Sequence, residues 1–107
     1  MVERGQRRSL VRSLVRSLVL HEGITTTETK AKELRKYVEP MVTKAKTNTI
    51  ATRRLLSARI GDDKAVKKLV EVIAPLHKDR KGGYTRVVKL PLRKSDGAKM
   101  AHISFVK

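Results

Sequence analysis

Three tetrads in succession, Ser9-Leu10-Val11-Arg12, Ser13-Leu14-Val15-Arg16 and Ser17-Leu18-Val19-Leu20, repeat one pattern with a step of four residues. Such a step advances a helix only about 40° beyond a full turn. Leu10, Leu14 and Leu18 with Val11, Val15 and Val19 therefore form one apolar stripe, and Arg8, Arg12 and Arg16 form a cationic ridge on the other side. The same arginines interrupt the apolar residues, so the segment lacks the continuous core of a secretory signal. No stretch approaches the roughly 18 apolar residues of a membrane span, and cytosolic residence is the expectation.

Beyond the repeat, His21-Glu22-Gly23 stops the helix, with Gly23 as the C-cap residue, and Ile24-Thr25-Thr26-Thr27 is β-branched and reads as a short strand. Ala31, Leu34, Val38, Met41, Val42 and Ala45 recur at helical spacing, which predicts a second helix over 28–46. A threonine caps it, and Thr25 with Glu28 has capping-box spacing. Pro40 predicts a kink near 37–39 or two abutting helices. Thr47-Asn48-Thr49 can cap a third helix over 50–60 that Gly61 ends. Asp62-Asp63 then cap a fourth, whose stripe is Val66, Leu69, Val70, Ile73 and Leu76, with Pro75 marking a late kink or its end. Tyr84 to Leu90, a turn at Ser95-Asp96-Gly97 and an alternating Met100 to Phe105 read as a hairpin, with Pro91 at an edge or bulge. The fold class is α+β: about four helices packed on a small three-stranded sheet that includes this C-terminal hairpin.

The 107 residues carry 26 Lys and Arg against 10 Asp and Glu, a net charge of +16, which points to an anionic partner. Cysteine is absent, excluding disulfides, thiolate metal sites and cysteine nucleophiles. His21, His77 and His102 lie far apart and match no ligand or nucleophile spacing, so they read as solvated or partly buried residues and the chain as no enzyme. Glu3 and Glu22 alone face five arginines, Arg4, Arg7, Arg8, Arg12 and Arg16, whereas a solvated face normally mixes signs. Arginine suits phosphate because its planar fork gives two hydrogen bonds to one group. Lys30, Lys32, Arg35 and Lys36 on the second helix and Arg53 and Arg54 on the third add to this collectively. Lys78 to Lys94 holds seven cations against Asp79, among them Arg80, Lys81, Arg86, Arg93 and Lys94. Gly82-Gly83 permits close backbone approach to an anion, and Tyr84 offers a ring to an unpaired base. With aromatics at 3%, binding should rest on phosphate, sugar and shape. A DNA-packaging protein and, since the first helix is amphipathic, a membrane-surface module are the other classes that these residues leave open.

The runs His21-Glu22-Gly23-Ile24-Thr25-Thr26-Thr27, Lys30-Ala31-Lys32-Glu33-Leu34-Arg35, Val38-Glu39-Pro40, Ala45-Lys46, Arg53-Arg54, Gly82-Gly83-Tyr84-Thr85-Arg86-Val87 and Met100-Ala101 resemble the bacterial large-subunit ribosomal protein seventeen family. The likeness covers nearly the whole chain from Gln6 onward. It implies a single ribosomal-protein domain over 1–107 that binds and stabilises large-subunit rRNA on the solvent side near the peptide exit tunnel. It also implies neighbouring ribosomal proteins as partners, no enzymatic activity and no cofactor, metal, membrane or small-molecule substrate. Family members usually open with a longer basic segment, whereas Met1-Val2-Glu3-Arg4-Gly5 leads almost directly into the first helix; that extension is expected to be short or absent. Contacts matching Arg7, Arg8, the second-helix cations and Arg80 to Arg86 carry over from the family.

Overall fold

The computed structural model describes residues 4–47 and 49–106, with side chains from residue 10 onward. Helix α1 spans Arg4–His21. Its stripe is buried at Val15, Leu18 and Val19, half-buried at Val11 and Leu14, and 39% exposed at Leu10, so only the later turns reach the core. The chain leaves α1 through Glu22 at φ 64°, not through Gly23. Strand β1, Gly23–Thr27, already includes that glycine. A Cβ there would come within 2.9 Å of His102 Nε2 and 3.2 Å of Ser104 Cβ. Close approach of the neighbouring strand claims the glycine, and the left-handed turn falls to a glutamate. Lys68 closes the helix end, its Nζ donating to the Leu20 carbonyl at 2.6 Å and lying 3.6 Å from Glu22 Oε2.

Helix α2, Glu28–Ala45, buries all six residues of the expected stripe. Its N-cap is Thr27, whose Oγ1 accepts from the Lys30 N–H at 3.4 Å. Thr25 is instead a strand residue hydrogen-bonded to His102 Nδ1 at 3.1 Å, which overturns the Thr25/Glu28 capping box. Glu28 pairs with Lys32 at 3.0 Å and Lys89 at 3.7 Å. The Lys32 hydrogen bond holds its carboxyl below the ordinary range, against some desolvation, with the charges of Lys32, Lys89 and Lys99 adding to it. One helix runs through Pro40. That residue is exposed, so the carbonyl freed by its missing N–H lies where water can reach it.

Helix α3, Ile50–Ile60, is capped by Thr49, which accepts from Thr52 N at 3.1 Å, and ends at Gly61 with φ 74°. Asp62 caps the fourth helix, α4, accepting from Lys64 N at 2.9 Å. It is built of an α-helical Asp63–Lys68, a π-helical turn Leu69–Ile73 and a closing turn Ala74–Leu76. Pro75 has no N–H to offer and would crowd the Glu71 carbonyl; the wider turn, with the Ala74 N–H on the Leu69 carbonyl, accommodates it. The extra residue rotates the chain beyond it, so Leu76 is 64% exposed and His77 takes the core position instead.

Strands β2, Thr85–Leu90, and β3, Met100–Phe105, pair antiparallel, and β1 pairs antiparallel with the other edge of β3. The order β1-β3-β2 makes β3 central, with Ala101, Ile103 and Phe105 facing the helices. Pro91 follows an edge strand, where its missing donor interrupts no ladder. Asp96 and Gly97, at φ 68°, form the hairpin turn, Asp96 Oδ1 accepting from Ala98 N at 3.1 Å. Helix α2 packs on all three strands as well as on α1, α3 and α4, and the core lies around it. Among the described residues no helix is long and apolar enough to cross a membrane.

Candidate nucleic-acid interface

The segment after α4 is tied to α2 by one carboxylate. Glu39 Oε2 accepts from the Tyr84 N–H at 3.1 Å, and Oε1 accepts from the Thr85 N–H at 3.2 Å and the Thr85 hydroxyl at 2.9 Å. Behind it Tyr84 is 1% exposed, which corrects the expectation that its ring is free to stack on a base. Its hydroxyl accepts from Thr43 Oγ1 at 3.3 Å and Lys46 Nζ at 3.1 Å, and donates to the Arg80 carbonyl at 3.3 Å. Lys46 also donates to that carbonyl and sits 5.0 Å from the ring centroid. Backbone and aromatic ring are thus turned inward while the Arg80 and Lys81 side chains stay exposed. Gly82 and Gly83 are exposed too, nothing lies within 4 Å of where their Cβ atoms would be, and Gly83 takes φ 63°.

The Thr43 hydrogen bond, and after it the one from Lys46, holds the Tyr84 hydroxyl below the ordinary tyrosine value. A depressed folded-state value means the unfolded chain binds more protons, so stability rises with pH between the folded value and the ordinary one near ~10. An absorbance titration of the tyrosines should show one phase early, and Tyr84→Phe should remove it. Loss of the early phase in Tyr37→Leu instead would contradict this network.

His77, expected to be solvated or partly buried, is 1% exposed. Its Nδ1 lies 2.9 Å from the Ile73 carbonyl and its Nε2 contacts the Val106 carbonyl. Its ring meets Tyr84 edge-on at 5.6 Å and Phe105 at 6.2 Å. The three histidines, distant in sequence, border one cleft with Arg86. Among the described residues no group of His, Asp or Glu is placed to hold a metal ion.

The remaining predicted site residues fall into separate zones. Arg12 borders a groove with Lys36 and with Arg59, a cation that no sequence pattern singles out. Arg12 donates from Nη2 to the Ala58 carbonyl in a long, exposed contact of 3.4 Å between α1 and the end of α3. Arg35 and Lys81 flank the exposed glycines. Arg16, Lys30, Arg54 and Lys94 lie elsewhere on the surface. Arg12, Arg16, Lys30, Lys36, Arg54, Arg80, Lys81, Arg86 and Lys94 form no ion pair among the described residues, whereas four others do. Lys32 pairs with Glu28, Arg35 with Glu39 at 3.8 Å, Arg53 with Glu71 at 3.2 Å and Arg93 with Asp96 at 3.6 Å. The side chains of Arg4, Arg7 and Arg8 lie outside the described residues. Acids therefore neutralise cations locally, on helices and turns, and leave a scattered set of unpaired cations facing solvent.

A family model described as Ribosomal protein L17 matches residues 10–106. The large ribosomal subunit protein bL17 of Rickettsia bellii (strain OSU 85-389) is 49% identical over 105 residues, covering 98% of this chain and 74% of that protein. Its counterpart in Sphingopyxis alaskensis (strain DSM 13593 / LMG 18877 / RB2256), also named large ribosomal subunit protein bL17, is 50% identical over 100 residues, 94% of this chain and 72% of that one. With the match running from the tetrad repeat through the last strand, the chain belongs to the ribosomal protein L17 family.

Proposed function

We propose that this chain is a structural constituent of the large ribosomal subunit, one domain over 1–107 that binds and stabilises rRNA on the solvent side near the peptide exit tunnel. It is not an enzyme, and it works in the ribosome, in the cytoplasm. The observation that carries the reading is the unpaired cations spread over α1, α2, α3 and the loop before β2, on a chain of net charge +16. Fixed cations replace condensed counterions on phosphates, so RNA binding gains entropy that added salt removes. Guanidinium forks set orientation, and base identity enters little. The membrane-surface reading loses support because Val15, Leu18 and Val19 of the amphipathic stripe are spent on the core.

The test is sedimentation of the tagged chain from lysate through a gradient at moderate salt. It should travel with large subunits and leave them as salt is raised. Recovery with the nucleoid would favour the DNA-packaging reading, and crosslinks to rRNA remote from the tunnel exit would overturn the location.

A further inference from the structure

The chain's two tyrosines have opposite fates: Tyr84 is buried and Tyr37, on α2, is 48% exposed. A lone exposed aromatic is ordinary, but Tyr37 stands at an open groove of about 510 Å³ between α1, α2 and α3. Val11, Val15, Pro40 and Met41 give the groove apolar walls. Arg12, Lys36 and Arg59, one from each helix, border it, and none forms an ion pair among the described residues. Arg12 Nη2 lies 3.4 Å from the Ala58 carbonyl at the edge of the groove, and its side chain stays exposed to solvent. An unpaired nucleotide has matching needs: a π face to stack, an apolar slot for the base, and cations for the phosphates on either side.

We propose that this groove receives one unpaired nucleotide of an RNA strand, its base stacked on Tyr37 and its flanking phosphates on Arg12, Lys36 and Arg59. This rests on the RNA-binding reading above and adds to it a contact that depends on a base. An acidic amphipathic peptide would also meet the cations and the apolar walls; the nucleotide is favoured because its planar base can stack on the exposed ring while the phosphates on either side meet the three cations.

The test compares hexa-adenylate with a hexamer of the same length and charge whose bases are removed, by anisotropy at one salt concentration. The base-bearing strand should bind about tenfold tighter, in line with stacking of one base. Tyr37→Phe should keep that ratio. Tyr37→Leu, which preserves apolar volume and removes the π face, should bring it near one while leaving abasic affinity unchanged. Equal affinities in the unsubstituted protein, or an unchanged ratio in Tyr37→Leu, would overturn the site. So would Tyr37-dependent binding of an acidic helical peptide with no base preference. If large-subunit rRNA still binds in that case, the nucleotide site alone has failed; if rRNA and both hexamers fail to bind, the RNA reading has failed with it.

Discussion

Replacing Arg80, Lys81 and Arg86 together by Gln is expected to weaken binding to large-subunit rRNA by two to three orders of magnitude near ~0.1 M salt. Each phosphate contact contributes roughly 0.7 to 0.9 to the slope of log affinity against log salt, so three lost contacts flatten it by about 2 to 3. Lines for the two proteins should converge near ~1 M salt, where counterion release drives nothing. The fold should survive, because the loop is held by Glu39, Tyr84 and Lys46 and the three replaced side chains are exposed and unpaired. Lys32→Gln is the internal comparison: its ammonium already faces Glu28 at 3.0 Å, so its loss should change the slope less. Parallel salt lines for the triple variant would show that this loop does not meet phosphate.

The helices are legible in the sequence because their stripes obey local spacing. Ala31 to Ala45 on α2, and the Gly61 and Asp62 punctuation between α3 and α4, depend on residues within a turn or two of each other. The features that escape a sequence reading depend on partners far along the chain. Gly23 has the local setting of a cap, but a strand about eighty residues later leaves little room for a side chain there. Leu76 and His77 exchange places because a π-helical turn beside Pro75 shifts the register, and a stripe counted at 3.6 residues has no place for the extra one. The two tyrosines show the same limit for the interface: a Gly-Gly-Tyr run beside cations suggests a stacking ring, yet Thr43 and Lys46 draw that ring inward and Tyr37 is left exposed. The charge excess is readable from composition, but the division into paired and unpaired cations needs the fold.

Glu39 is not among the residues that the sequence points to as RNA contacts, yet its removal should have the largest effect on stability. Glu39→Ala leaves the Tyr84 and Thr85 amides and the Thr85 hydroxyl without their acceptor, and Thr85 is 4% exposed. Stranding donors of a charge-assisted set costs about 2–4 kcal/mol in total, which for a domain near 100 residues lowers Tm by roughly 10–20 °C. Glu39→Gln should fall between: its one carbonyl oxygen can still serve Thr85, but its NH₂ then faces the Tyr84 N–H, donor against donor. Hydrogen exchange should quicken first at Tyr84 and Thr85, before α1 or α3 is touched. For RNA the expected outcome differs in kind from that of the charge variants. Arg80, Lys81 and Arg86 all remain and only Arg35 loses a partner, 3.8 Å away, so the salt slope should steepen by no more than about one contact while affinity falls near ~0.1 M salt, because the loop must now be ordered on binding. A slope changed by more than one contact, with unchanged exchange at Tyr84, would mean that Glu39 acts through its charge on the RNA and not by holding the loop.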